Sequence, residues 1–171
     1  MTKIENQIVN LITQKKSASI HVQTLGNFQM WRDGEKVSGK EWGRDKTIQL
    51  FQFLVTARHR HSLHKEQIVD RLWEDAEGKT ADQNFKVAMH GVNKVLEPHR
   101  PSRTDPKYIL RQGIAYQLNL DAIWIDTEAV EKFIALGNQA LVDEPEVSMK
   151  AYHEAVELYE GSYLPNRLYE I

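Results

Sequence analysis

An α+β fold is predicted for this chain of 171 residues, and three observations predict it. Apolar residues alternate from Ile20 to about Val37, three stretches with helical apolar spacing follow between Lys46 and Glu97, and a second alternating stretch turns near Gln112–Gly113. Beyond Ile125 the composition becomes helical and acidic. The expected order is therefore an N-terminal antiparallel sheet, three helices, a β-hairpin and an all-α segment.

The chain begins with Ile4, Ile8, Leu11 and Ile12 on one helical face, followed by the polar run Gln14–Ser19, so residues 1–18 are expected to be a linker or short helix. In IHVQTLGNFQMW the alternation breaks at Gly26–Asn27, and Asp33–Gly34 is a strong turn signal before Glu35. Asp45 is a candidate cap for a helix from Lys46 to about Arg58, with Leu50, Phe51, Leu54 and Val55 facing inward. A second helix is expected from about Lys65 to Trp73, and the acidic loop Glu74–Thr80 leads to a third. After Pro98 a basic, proline-containing loop precedes the hairpin YILRQGIAYQL. Thr127–Leu136 and Glu146–Tyr159 are the last two expected helices, with Gly137 and Gly161 placed where helices should stop. Their small and aromatic residues suit a tetratricopeptide-like pair, and because such arrays need about three repeats, the helical part is expected to continue in a longer protein.

The third helix carries the most information. Phe85, Ala88, Met89, Val92, Val95 and Leu96 share one face at core spacing, while Gln83, Lys86, Val87, His90 and Lys94, with Lys79 just ahead, share the other. Long cations suit phosphates, an amide or imidazole suits base edges, and a methyl-bearing side chain suits thymine. A solvated helix face is the simpler reading of such a pattern alone. The order of elements around it, strands, three helices and a hairpin, is that of a winged helix-turn-helix, whose third helix enters the major groove.

Composition limits the alternatives. With no cysteine, disulfides, thiolate metal sites and cysteine nucleophiles are excluded. No run approaches the roughly 18 apolar residues of a membrane span, and Met1–Ser19 lacks the pattern of a signal peptide, so a cytoplasmic protein without membrane contact is expected. The net charge of −2 conceals a division: residues 19–120 hold 16 Lys/Arg against 12 Asp/Glu, and residues 121–171 hold 3 against 11. Such asymmetry points to a nucleic-acid-facing segment joined to a differently charged one.

Several blocks, taken together and in order, resemble the bacterial transcriptional activators of the antibiotic-regulatory (SARP) type: Leu25–Phe28, Ser62–Trp73, Asn84–Leu96, Tyr108–Leu118 and Leu158–Pro165. The resemblance covers about residues 20–166. It implies an OmpR/PhoB-like winged-helix DNA-binding domain over residues 19–120, followed over residues 121–171 by the first part of a tetratricopeptide-like bacterial transcriptional activation domain (BTAD). Where the family usually has a hydroxyl residue capping the second helix this chain has His64; in the wing, Ala115 stands where a glycine is common and Gln112 where an arginine often stands. The resemblance also implies half-sites occupied by a homodimer and recruitment of RNA polymerase through the loop carrying Glu74, Asp75 and Glu77, for which a solvated turn is the alternative reading. An upstream sensor domain in the same full-length chain is compatible with it.

The expected function is thus sequence-specific binding of double-stranded DNA by a transcription regulator. Gln83, Val87 and His90 are assigned to base edges, and Lys79, Lys86, Lys94, Lys107 and Arg111 to phosphates, with Gln112 completing the set at the wing. The imidazoles of His59, His61 and His64 lie close in sequence but lack a second ligand pair, so a basic loop is expected there rather than a metal site. The acids around Gly78 lack the spacing and closing glutamate of a calcium loop. No phosphate cradle, nucleophile elbow or metalloprotease motif is present, so neither an enzyme nor a cofactor is expected. Trp73 and Trp124, in apolar surroundings, are expected in core or interdomain packing rather than as stacking platforms for single-stranded nucleic acid. The alternative is a protein interaction module that uses the winged-helix and helical-repeat scaffold without binding DNA.

Overall fold

The computed structural model describes residues 1–60 and 63–167; His61 of the basic loop and Ser62, the first residue of the Ser62–Trp73 block, lie outside the described residues, as do residues 168–171. In chain order the elements are α1 (Lys3–Ser17), β1 (Ile20–Gln23), β2 (Gln29–Arg32), β3 (Glu35–Lys36), α2 (Gly39–Trp42), α3 (Asp45–Thr56), β4 (Leu63–His64), α4 (Lys65–Leu72), α5 (Gly78–Leu96), β5 (Ile109–Gln112), β6 (Ala115–Leu118), β7 (Ile123–Ile125), α6 (Asp126–Ala140) and α7 (Pro145–Glu157). The α+β class and the order strands, helices, hairpin, helices are observed. Two compact units result, one from Met1–Lys36 with the described residues from Ile123 onward, the other Val37–Ala122.

This division differs from the boundaries at 18/19 and 120/121 suggested by the sequence, and β7 is the reason. Ile123-Trp-Ile, a buried three-residue run, adds to the sheet β3-β2-β1-β7 by parallel pairing with β1, in the register Ile20↔Ile123, His21↔Trp124 and Val22↔Ile125. Residues 20–36 therefore belong with the helices that follow β7, and the sheet is mixed rather than purely antiparallel. Asp33 (φ 51°) and Gly34 (φ 82°) form the positive-φ turn expected between β2 and β3. The N-terminal segment is a full helix, continuing through Gln14–Lys16. Thr2 and Glu5 close its start reciprocally: the Glu5 N–H donates to the Thr2 hydroxyl at 3.2 Å and the Thr2 N–H to the Glu5 carboxylate at 2.7 Å. Its Ile8 is fully buried in a core with Trp124, Ala129, Phe133, Leu136, Ala151 and Ala155.

Gly137 does not stop a helix. It lies inside α6, where a Cβ would come within 2.4 Å of the Tyr152 ring of α7. Its carbonyl accepts the Ser148 hydroxyl at 2.8 Å, and the Tyr152 hydroxyl donates to Asn138 at 2.6 Å. The glycine thus admits an aromatic ring against the helix backbone. Gly161 lies beyond the end of α7 and backs onto Gly26, whose N–H donates to the Ser162 carbonyl at 2.9 Å, so the Leu25–Phe28 and Leu158–Pro165 blocks meet.

In the second unit, Arg44 rather than Asp45 occupies the N-cap of α3; Asp45 is the first helical residue, where its charge favours the helix dipole. Leu50, Phe51, Leu54 and Val55 are buried as expected, and α5 crosses α3 closely enough for a Cβ on Gly91 to lie 3.0 Å from Thr47. A strand not foreseen, β4, joins the hairpin in a sheet of order β4-β6-β5. Its register sets His64 opposite Ala115, so two of the residues that depart from the family pattern are cross-strand partners. The His64 N–H donates to the Gln67 side-chain oxygen at 2.9 Å, which supplies half of a cap at the start of α4.

Two expectations follow. Gly137→Ala destabilises the first unit by about 1–3 kcal/mol through overpacking, whereas in a Tyr152→Ala background the same change stabilises it by up to about 1 kcal/mol through helix propensity; thermal or urea unfolding of the four-variant cycle measures the change of sign. His21 stacks edge-on against Trp124 at 4.1 Å, and burial, then Lys15, lower its pKa from 6.5 to about 4 against the opposing pull of Asp126. The unfolded chain binds this proton at higher pH than the native one, so stability falls as pH drops from 6.5 and levels off below about 4. NMR titration of the His21 ring should give a midpoint near 4, and His21→Phe should flatten the pH dependence of melting; a midpoint near 6.5 contradicts the assignment.

Candidate functional site

The candidate site is built on α5, 19 residues long and thus roughly 28 Å. All six residues assigned to its core face are buried, and Phe85 is held edge-to-face by Trp73 (6.5 Å) and by Tyr116 of β6 (5.3 Å). Pinning that face turns the opposite one outward. Lys79, Gln83, Lys86, Val87, His90 and Lys94 are all exposed, within an arc of roughly 100° at 100° per residue. Val87, a large apolar side chain, is 42% exposed.

Asp82 borders this stripe, and its charge is answered by Lys65, whose Nζ lies 2.5 Å from the carboxylate. That hydrogen bond and the Lys65 charge hold the Asp82 carboxyl below the usual aspartate range. Sequence inspection missed Lys65, which is the junction of three elements: its N–H donates to the Ile114 carbonyl in the hairpin turn at 2.9 Å, and its ammonium sits 5.8 Å from the Phe85 ring centroid. Only proximity in space identifies it, since residues 65, 82 and 114 share no local pattern. No acid lies in the first turn of α5, and the positive end of its dipole lies between the Lys79 ammonium and the carboxylate of the N-cap residue Glu77. Glu74, Asp75 and Glu77 are exposed in the α4–α5 link, with Glu77 as the N-cap residue.

The hairpin residues do not form one group. Strand alternation puts Arg111 on the face of Ile109, Tyr116 and Leu118, which packs towards α5, and Gln112 on the face of Leu110. Arg111 does not extend from the tip; its Nε donates to the Gly113 carbonyl at 2.8 Å and its guanidinium lies 5.6 Å from the Tyr116 ring centroid. Lys107 is exposed at the other end of α5, where its N–H donates to Glu97 at 2.9 Å. Lys79 and Lys94 are roughly 22 Å apart along the helix axis. Gln83, Lys86, Val87 and His90 are therefore the compact centre of the set, with Lys94 and Lys107 at one end.

No protein-family model matches the chain, and no curated protein matches it in sequence. Among solved structures its fold is similar to that of Mycobacterium tuberculosis EmbR, in a complex of that protein with a low-affinity phosphopeptide, with a TM-score of 0.69 and 17% identity. The match covers 88% of this chain and 38% of the EmbR chain, so the chain spans less than half the length of that neighbour. At this identity the likeness establishes a shared fold. Among the described residues no helix is long and apolar enough to cross a membrane.

The two faces of α5 predict opposite responses to truncation. Phe85→Ala should destabilise the second unit by about 3–5 kcal/mol, while Gln83→Ala and Lys86→Ala should each stay within about 0.5 kcal/mol. Urea unfolding followed by tryptophan fluorescence separates these outcomes, and a large stability loss from Gln83→Ala would mean that the stripe is structural.

Proposed function

We propose that the chain is a sequence-specific, double-stranded DNA-binding transcription regulator, with α5 as the major-groove helix and the β5–β6 hairpin as its wing. The observation that carries this reading is the exposed stripe of α5, where an amide, an imidazole, an apolar side chain and cations lie together opposite a fully buried face. The fold shared with EmbR and the resemblance of the sequence blocks to SARP-type activators support it. In this reading Gln83, Val87 and His90 meet base edges, Lys79, Lys86, Lys94 and Lys107 meet phosphates, and the wing adds Arg111 and Gln112 from opposite hairpin faces. Residues 19–120 act as the winged-helix domain and residues 121–171 as the start of a BTAD. Glu74, Asp75 and Glu77 contact RNA polymerase, and a homodimer occupies paired half-sites.

Arg111 has a defined part in this reading. Folded over Tyr116 and tied to Gly113, it presents its charge from a constrained position, so little side-chain entropy remains to be lost on contact with a phosphate. One observation favours the second reading, a protein interaction module: Leu110 and Ile114 are 43% and 54% exposed on the hairpin.

Binding of mixed-sequence duplex at low salt, followed by selection of a preferred site from a random pool, tests the proposal. On the selected site Gln83→Ala or His90→Ala should each cost about 1–3 kcal/mol, with far less effect on random duplex. Lys86→Ala and Lys94→Ala should each reduce the slope of log K against log salt by about 1 on both DNAs, because counterion release does not depend on bases. Absence of duplex binding at low salt overturns the DNA reading and leaves the interaction module.

A further inference from the structure

A cavity of about 450 Å³ lies within the first unit, walled by α1, β1, β7, α6 and α7. Its size falls among small-molecule sites, which span roughly 300–1,000 Å³. Trp124 and Phe133 give it an aromatic lining. Lys15 and Lys16, from the last turn of α1, present two cations, and Glu154 and Glu157, from the end of α7, present two carboxylates.

These charges do not neutralise one another directly. Among the described residues no ion pair joins either lysine to either glutamate, and the half-buried Glu154 has neither hydrogen-bond nor ion-pair partner. Glu157 has only His153 at 3.8 Å, an ion pair that requires a protonated imidazole. Lys15 holds its ammonium 5.3 Å from the Trp124 ring centroid. Lys15, Lys16 and Glu157 are exposed at the cavity rim and Glu154 is half-buried, so the mouth offers two cations and two carboxylates beside an aromatic wall, and a ligand carrying both complementary charges meets both sets. A purely anionic ligand would leave the glutamates uncompensated, and a purely cationic one the lysines.

We propose that this cavity binds a small aromatic zwitterion, of the class of a free aromatic α-amino acid, with its carboxylate towards Lys15 and Lys16, its ammonium towards Glu154 and Glu157, and its ring against Trp124 and Phe133. The site is independent of the α5 stripe, and its test needs no DNA. In calorimetric titrations of the full chain, L-tryptophan should bind saturably at one site. Tryptamine, which lacks the carboxylate, and indole-3-propionate, which lacks the ammonium, should each bind about tenfold or more weakly, the cost of one charge-assisted hydrogen bond. The double variant Lys15→Ala/Lys16→Ala should weaken L-tryptophan and indole-3-propionate but not tryptamine. Glu154→Gln should weaken L-tryptophan and tryptamine but not indole-3-propionate. Thermal melting checks that each variant is folded, and the three-probe series on the unaltered chain stands without them. Equal binding of the three probes, or no saturable binding of L-tryptophan, overturns the proposal.

Discussion

The first unit depends on one buried carboxylate. Asp126, 2% exposed at the first residue of α6, accepts the Thr24 N–H at 2.9 Å, the Leu25 N–H at 2.8 Å, the Thr24 hydroxyl at 2.6 Å and the Thr127 N–H at 2.8 Å. These donors come from the end of β1 and the start of α6, segments separated by the whole of the second unit. Each hydrogen bond to a charged group contributes about 1.5–3 kcal/mol, and loss of the acceptor would leave several backbone donors buried without a partner. The carboxylate also lies in the first turn of a helix, where the dipole favours negative charge. By fixing where β1 ends relative to α6, it locates β7 beside β1 and Trp124 over the helical core.

Around that joint the remaining contacts become intelligible. With β7 in place, α6 runs from the sheet edge and α7 returns along it, and Gly137 lets the Tyr152 ring approach the α6 backbone. The segment beyond α7 then reaches the turn after β1, where the Leu164 N–H donates to the Thr24 carbonyl at 2.8 Å. Thr24 thus serves both the carboxylate and the chain that follows α7. The cavity lined by Lys15, Trp124 and Glu154 lies among α1, β7 and α7, which rest on this same frame.

In the second unit the organising contact is aromatic. Phe85, between Trp73 and Tyr116, fixes the rotation of α5 about its own axis, and that rotation decides which side chains face outward. The β4–β6–β5 sheet locks the hairpin to the start of α4, and Lys65 ties the hairpin turn to Asp82 on α5. Exposure of the Gln83–Lys94 stripe is therefore set by a handful of core contacts on the opposite side of the helix.

Local pattern made much of this legible. The two faces of α5, the Asp33–Gly34 turn, the hairpin at Gly113 and the buried face of α3 all follow from spacing within a few residues, because helix and strand periods are local properties of the chain. The sequence blocks around Gly26 and Gly161 were visible as well, although their contact with each other was not. Parallel pairing of β7 with β1, the ring that occupies the space beside Gly137, the ion pair of Lys65 with Asp82 and the placing of the Arg111 guanidinium over Tyr116 were decided only by tertiary structure. Each depends on residues that approach only when distant segments fold together, or on a strand register that determines which face a side chain takes. The sequence by itself determined which surfaces are apolar and which helix has two chemistries; the folded chain decided which partners those surfaces meet, because burial and charge pairing are properties of neighbours in space.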